Sequence, residues 1–202
     1  EAVRSLVGYV PATPSWNCSK RTGIPLSITD RWRRRRPPTI GSRAWRYLAD
    51  ERAIPISILQ AAIAQGLLRE GPSGSIWTAH VDRAGQLIGW EERGPRWRGF
   101  STGGAKELFR LGNEAAPRFC VTEAAIDAMS LAALEGMRAD TLYISTGGGW
   151  SPASDAAIRA IAKRPGILMT AATDNDRQGE IYAGRLQEIV SETGGRYERL
   201  RP

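Results

Sequence analysis

One stretch decides the fold: residues 119–135, FCVTEAAIDAMSLAALE. Its first four residues are apolar or β-branched, which predicts a short buried strand. The alanine-rich run that follows, residues 124–135, predicts a helix with an apolar face. A strand that leads directly into a helix is typical of the first part of a βαβ unit.

The same alternation continues towards the end of the chain. Residues 141–145 and 166–172 predict two more strands, and residues 151–163 and 177–192 predict two more helices. A last strand is predicted near Tyr197. The order βαβαβα indicates an α/β fold with a mostly parallel sheet and right-handed crossovers.

Polar residues follow three successive strands of this predicted sheet. Glu123 follows the first strand, the loop Gly147-Gly148-Gly149 follows the second, and Asp174 and Asp176 follow the third. Ligands of open α/β sheets bind beyond the carboxyl ends of the strands. Carboxylate oxygens without a neighbouring Cys or His suit Mg²⁺ or Mn²⁺ rather than zinc. We therefore predict a metal site at this edge of the sheet.

Each of these features also has a simpler interpretation. Asp174 and Asp176 could form an Asx turn and a helix N-cap, which Gly179 would permit. Glu123 could be a first-turn acid that faces the helix dipole, and the three glycines could form only a tight turn. Both interpretations stay open at this point, although the convergence of the three features favours metal binding.

Upstream of this region the sequence predicts a smaller unit. Ser42 is a good N-cap for a short helix, and residues 55–66 predict a second helix. Residues 75–81 and 86–90 predict a β-hairpin. His80 lies in the first hairpin strand, where we interpret it as a partly buried strand residue rather than a catalytic base, because no second His supports it.

The first forty residues are rich in proline and show no sustained periodicity, so we predict a basic irregular arm or linker there. The densest charge run of the chain lies within it, and its arginines are predicted to contact phosphates while Trp32 stacks on a base. The alternative is a solvated, mobile charge run. The candidate phosphate-binding residues are Arg31, Arg33, Arg34, Arg35 and Arg36.

Six of the seven tryptophans lie in the upstream part of the chain. Trp45, Trp77 and Trp90 are predicted to pack in the core of the small unit. Trp97 lies between Arg96 and Arg98, so a role in stacking on nucleic-acid bases stays open for it.

Charge is distributed unevenly along the 202 residues. The net charge is +7, and the first sixty residues carry all of it, because the remaining residues hold seventeen basic and seventeen acidic side chains. A local basic excess favours a polyanionic partner. No apolar run is long enough to cross a bilayer, so no membrane partner is expected. Cys18 and Cys120 are predicted to be reduced thiols, and we expect a cytoplasmic protein.

Two motifs resemble those of the Toprim family. Residues 121–128, VTEAAIDA, resemble the Toprim glutamate motif in its bacterial primase version, and residues 172–180, ATDNDRQGE, resemble the Toprim Asp-x-Asp motif. The resemblance covers residues 117–200. Residues 44–112 resemble the small domain that precedes Toprim in proteins of plasmids and mobile elements.

The resemblance implies both a fold and roles for individual residues. It implies a Rossmann-like parallel sheet flanked by helices in residues 116–202, preceded by a small α+β domain with a β-hairpin in residues 41–115 and the arm in residues 1–40. Glu123 would be the general acid/base or a metal ligand. Mg²⁺ (or Mn²⁺) would be held by Asp174 and Asp176 with support from Asp127, and Gly147 and Gly148 would allow substrate to approach the backbone.

Three functions agree with these motifs. The first is primase-like nucleotidyl transfer on DNA, including single-stranded DNA, with nucleoside triphosphates as substrates. The second is a Toprim phosphodiesterase that nicks nucleic acid. The third is a non-catalytic DNA-binding module that works with replication or mobilisation proteins. Topoisomerase activity is disfavoured, because 202 residues cannot supply the tyrosine domain and gate.

Overall fold

A computed structural model describes residues 26–201, which form two β-sheets with helices packed against them. Residues 1–25 of the predicted arm, including Cys18, lie outside the described residues. Within the described part of the chain no helix is both long and apolar enough to cross a membrane.

The upstream half, residues 26–108, contains three helices and an antiparallel sheet of four strands. Its helices are α1 (Ile28–Arg33), α2 (Arg43–Arg46), which continues as a π-helical turn (Tyr47–Glu51), and α3 (Ile56–Ala64). The sheet has the order β1 (Leu68–Glu70), β2 (Ile76–Val81), β3 (Leu87–Gly94) and β4 (Trp97–Phe100).

The C-terminal half, residues 109–201, contains a five-stranded sheet and three helices. Its strands are β5 (Phe109–Gly112), β6 (Arg118–Thr122), β7 (Thr141–Ser145), β8 (Leu168–Ala171) and β9 (Arg196–Arg199). The helices are α4 (Ala125–Leu134), α5 (Pro152–Ala162) and α6 (Arg177–Thr193). The predicted α/β architecture with a mostly parallel sheet is confirmed.

The strand order β5-β7-β6-β8-β9 places β6 at the centre of this sheet. The pairs β6·β7, β6·β8 and β8·β9 are parallel, and only the edge strand β5 runs antiparallel to its neighbour β7. As a result, the carboxyl ends of β7, β6 and β8 lie side by side at one edge. The sheet therefore brings together the three strand ends that the sequence singled out.

Two apolar cores form on the two faces of this sheet. Alternate residues of β6 divide between them, with Phe119 and Val121 facing α5 and α6, and Cys120 facing α4. The core on the α4 side continues into the upstream half, where it includes Trp45 and Trp90. The two halves thus share one continuous core.

The arginine run is ordered, which corrects the predicted irregular arm for residues 28–33. Ser27 caps α1 by accepting a hydrogen bond from the backbone of Asp30, and Trp32 on this helix is buried. The Trp32 ring lies 6.0 Å from the ring of Trp90, which itself stacks on Trp77 at 4.2 Å. Trp32 is therefore part of the core, and its indole is not free to stack on a base. Burial of this large ring stabilises the position although the adjacent residues of the chain are arginines.

The predicted hairpin is confirmed, and it is longer than predicted. Strand β3 extends to Gly94 and turns into β4, so that Arg93 pairs with Arg98 across the two strands. The charged residues Glu91 and Glu92 interrupt the apolar alternation, which is why the sequence indicated an end at Trp90. The predicted burial of Trp45, Trp77 and Trp90 is confirmed, and so is that of His80.

Candidate metal and nucleic-acid site

Glu123 is the first residue after β6, and it meets the loop after β8. One oxygen of its carboxylate accepts a hydrogen bond from the backbone N–H of Asp174, at 3.3 Å. Burial raises the pKa of the Glu123 carboxyl above its ordinary value, and the negative charges of Asp174 and Asp176 raise it further. We call these three residues the acidic crevice.

The two aspartates of the crevice have different surroundings. Both are exposed, but only Asp176 is a helix cap: it is the N-cap of α6 and accepts a hydrogen bond from the backbone N–H of Gly179, at 2.7 Å. The predicted capping role of Asp176 is therefore confirmed, and it occupies one oxygen of the carboxylate. The other oxygen of Asp176 and both oxygens of Asp174 make no hydrogen bond within the described residues.

Asp127 lies one helical turn after Glu123. One of its carboxylate oxygens accepts a hydrogen bond from the backbone N–H of Ala124, at 2.9 Å, which caps α4. Burial raises the pKa of Asp127. Together with Asp174 it lines a cavity of about 400 Å³ that also includes Thr122 and Ala172. Asp127 thus shares a cavity with Asp174 of the crevice while it caps the start of the helix.

The crevice does not form a ready-made metal cage. Over residues 26–201, no three Asp, Glu, His or Cys side chains are arranged closely enough to enclose an ion. The donors are oxygens only, which fits Mg²⁺, because this ion keeps several of its waters and is commonly bound by one or two carboxylates. The residues present therefore fit a hydrated magnesium ion better than a fully dehydrated one.

The glycine loop, residues 147–149, is held by the upstream half. Gly147 has φ +67°, and a Cβ at this position would lie 2.7 Å from the buried ring of His80. Lys106 donates a hydrogen bond from its ammonium group to the carbonyl oxygen of Gly147, at 2.7 Å. His80 thus makes a close approach to Gly147, and the predicted approach of substrate or metal to this loop stays a prediction.

Gly148 links the loop to the crevice. Its backbone N–H donates to the carbonyl oxygen of Glu123, at 2.7 Å, and it also lines a cavity of about 450 Å³ between the two halves. Its predicted exposure to substrate stays a prediction. The cavity contains three basic side chains, from Arg93, Arg98 and Lys106. We call it the basic pocket.

Sequence reasoning missed the basic pocket. Arg93 and Arg98 lie opposite each other on β3 and β4, and Lys106 follows β4 in the chain. Once β4 is recognised, the cross-strand pair predicts two arginines on one face of the sheet. The position of Lys106 beside the glycine loop depends on how the two halves pack, which no local pattern contains.

The arginines of the run differ in their contacts. Arg31 and Arg35 lie over the rings of Trp90 and Trp77, at 4.9 and 5.1 Å, and Arg36 forms an ion pair with Glu70. Within residues 26–201, Arg33 and Arg34 are the two arginines of this run that are exposed and form no ion pair.

Trp97 lies at the edge of the upstream sheet. Its side chain is 62% exposed, and it lines a cleft of about 800 Å³ together with Arg43 and Arg96. The ring lies against Gly99, where a Cβ would be 3.2 Å away. Trp97 and the arginine run are thus outside the acidic crevice.

The two halves match two family models. Residues 120–202 match the family described as "Toprim-like", and residues 46–116 match the family described as "Protein of unknown function (DUF3991)". The C-terminal half is therefore similar to Toprim-like domains, and the upstream half is similar to the second family. These matches confirm the resemblance for both regions. A search of curated proteins found no match.

Three solved structures of primases match the chain at low sequence identity. The primase fragment of the bacteriophage T7 primase-helicase protein is 16% identical, with a TM-score of 0.45, over 69% of this chain and 59% of that one. The RNA polymerase domain of Mycobacterium tuberculosis primase DnaG is 14% identical, with a TM-score of 0.48, over 81% and 69%. The DnaG catalytic core is 15% identical, with a TM-score of 0.49, over 81% and 66%. The chain thus spans less than two thirds of the T7 fragment.

A Toprim-like domain indicates either a nucleic-acid enzyme or a nucleic-acid-binding module.

Proposed function

We propose that this protein is a Mg²⁺-dependent nucleic-acid enzyme that carries out primase-like nucleotidyl transfer on DNA. One observation carries the proposal: the acidic crevice and the basic pocket adjoin the same glycine loop, because Gly148 bonds to Glu123 and also lines the pocket. A site that transfers a nucleotide needs negative charge to hold a cation and positive charge to hold phosphates. The two are neighbours here.

Asp174 and Asp176 would hold the ion, with Asp127 in support, and Glu123 would act as general acid/base or as a further ligand. Bound Mg²⁺ or Mn²⁺ supplies neutralisation of phosphate charge. Burial raises the pKa of the Glu123 carboxyl, and its place in the acidic crevice suits a group that exchanges a proton with a reacting hydroxyl.

Arg93, Arg98 and Lys106 would hold the phosphates of a nucleoside triphosphate. The cavity of about 450 Å³ is lined by all three, and by the backbone of the glycine loop. Guanidinium groups match phosphate geometry with paired hydrogen bonds. Arg93 is also paired with Glu91, which fixes the position of its side chain.

The nucleic acid itself would contact the basic surface of the upstream half. The exposed Arg33 and Arg34 would bind phosphates, with Arg31, Arg35 and Arg36 adding positive charge nearby, and Trp97 would stack on an unpaired base. We assign the protein to DNA replication or to the maintenance of plasmids and mobile elements in the cytoplasm, with replication or mobilisation proteins as partners.

The test is an incubation with single-stranded DNA, nucleoside triphosphates and Mg²⁺, read on a denaturing gel. The wild type is expected to produce extension products, and Glu123→Gln is expected to lower their rate at least ~100-fold, because it removes the ionisable group and keeps the shape. Glu188→Gln, at an exposed position on α6, is the matched control and should be fully active.

The other outcomes separate the remaining functions. Shortened DNA would identify a phosphodiesterase. Salt-sensitive DNA binding without any product, in Mg²⁺ or Mn²⁺, would leave a binding module. Full activity of Glu123→Gln would contradict the assignment of the crevice.

A further inference from the structure

The upstream half reaches the backbone on the C-terminal side of Glu123. Glu91 on β3 is only 2% exposed, and one oxygen of its carboxylate accepts a hydrogen bond from the backbone N–H of Ala125, at 3.1 Å. Its other oxygen is paired with Arg93, at 2.5 Å. Ala125 is the first residue of α4, two positions after Glu123.

The upstream half also reaches Glu123 through the glycine loop. Lys106 and His80 fix Gly147, and the next residue, Gly148, donates its N–H to the carbonyl oxygen of Glu123. The backbone around Glu123 is therefore held at two points, and both holds begin in the upstream sheet.

We infer that Glu91 is a positioning residue for Glu123: by binding the N-terminus of α4 from the upstream domain, it sets where the Glu123 carboxylate lies in the crevice. This inference rests on the proposed role of Glu123 as a ligand of the metal ion. It gives the upstream domain a part in the site through the backbone that carries Glu123.

The chemistry of a helix N-terminus supports this role. The first N–H groups of a helix have no partner within it, and a carboxylate both satisfies them and meets the positive end of the helix dipole. Asp127, within α4, accepts a hydrogen bond from the N–H of Ala124, and Glu91, in the upstream sheet, accepts one from the N–H of Ala125. Because the chain leaves Glu123 and enters α4 within two residues, fixing these two N–H groups fixes the turn that carries Glu123.

Glu91→Gln tests the inference, and two quantities are measured on the full chain. The first is the affinity for Mn²⁺, determined by the paramagnetic resonance signal of the free ion. The second is the rate of amide hydrogen exchange at Ala125. We expect Mn²⁺ to bind about tenfold more weakly, as is common when a group that orients a ligand is removed, and exchange at Ala125 to be faster.

Glu92→Gln is the matched control. Glu92 is the next residue of β3, points to the opposite face and accepts a hydrogen bond from the hydroxyl of Ser75. Glu92→Gln changes a comparable contact of the same strand, so it corrects for a general loss of stability. The Mn²⁺ affinity of this variant should equal that of the wild type. In the extension assay Glu91→Gln should lower kcat, and KM for nucleotide is not used to judge the inference, because Glu91 also lines the basic pocket and pairs with Arg93.

Unchanged Mn²⁺ affinity in Glu91→Gln, or unchanged exchange at Ala125, would overturn the inference. If the single variant does not fold because Arg93 is left without its partner, the double variant Glu91→Gln/Arg93→Gln removes both charges, which is commonly milder. Only Mn²⁺ affinity and exchange are compared for it, since Arg93 lines the basic pocket, and a wild-type affinity there would also overturn the inference. Asp174→Asn separates the two levels: if it leaves Mn²⁺ affinity unchanged, the proposed metal site itself fails.

Discussion

At the scale of single residues, Gly179 lies so close to the backbone of Asp174 that no side chain fits at its position. A Cβ at this position would lie 1.9 Å from the carbonyl oxygen of Asp174, so the backbone could not keep its course. The N–H of Gly179 binds Asp176, and its carbonyl oxygen accepts a hydrogen bond from the hydroxyl of Thr173. One glycine thus allows the loop of the two aspartates to close on the start of α6.

We predict that Gly179→Ala lowers the free energy of unfolding by about 2 kcal/mol, because the backbone must shift and the Asp176 cap weakens. It should also weaken Mn²⁺ binding. Urea denaturation and Mn²⁺ titration measure the two effects.

Gly184→Ala is the control on the same helix. A Cβ there meets nothing within 4 Å, so alanine should stabilise α6 by about 0.5–1 kcal/mol. If Gly179→Ala and Gly184→Ala had equal free energies of unfolding, the close approach of Gly179 to the carbonyl oxygen of Asp174 would not be needed.

Individual residues also show how far the sequence could be interpreted. Glu123, Asp174 and Asp176 were found because strand ends are visible in the hydrophobic pattern. The contact between Gly147 and a histidine was not predicted, because a glycine loop indicates a close approach to the backbone but not which residue approaches. That neighbour, His80, is sixty-seven residues earlier in the chain.

At the scale of elements, α1 is stabilised by tryptophan and arginine rather than by its own length. The helix has 6 residues, too few to be stable alone. Trp32 packs on the tryptophans of β2 and β3, while Arg31 and Arg35 cover their rings from outside. Cation–π contacts of this kind add to the burial of the indole.

We predict that Trp32→Ala lowers the free energy of unfolding by about 3–5 kcal/mol, because it leaves a cavity in the shared core. Urea denaturation monitored by circular dichroism measures the change.

Arg33→Ala, at an exposed position of the same helix, should stay within about 0.5 kcal/mol of the wild type. A loss for Trp32→Ala no greater than this would mean that α1 does not depend on the tryptophan packing.

Elements with strong periodicity were predicted, and short ones were missed. The helices α3 to α6 and the strands β2, β6, β7 and β8 agree with the sequence pattern. Strands β4 and β5 have only four residues each. Strand β4 follows the charged end of β3, and β5 pairs with β7, which lies later in the chain. The helix α1 was not predicted, because five of the residues within it or next to it are arginines, which indicate a solvated charge run. Its main apolar contact comes from a single residue, Trp32.

At the scale of the whole molecule, the shared core joins the two halves. Ile126 and Met129 of α4 belong to the same apolar cluster as Leu59 of α3 and Trp90 of β3. Neither half is thus complete without the surface of the other.

We predict a single unfolding transition for the full chain. Tryptophan fluorescence reports mainly on the upstream half, where five of the described tryptophans lie, and circular dichroism at 222 nm reports mainly on the longer helices α4, α5 and α6. The two midpoints should coincide in urea and in heat, because the core is common. Two separated transitions would show that the halves fold independently.

The common core also has a consequence for how such a protein can evolve. The two family matches meet between residues 116 and 120, yet apolar contacts and the hydrogen bond from Ala125 to Glu91 cross that border. Recombination at the border would join α4 to a surface that was selected for a different helix. We therefore expect the two segments to be inherited together, with changes on one side of the border compensated by changes on the other, rather than exchanged as separate building blocks.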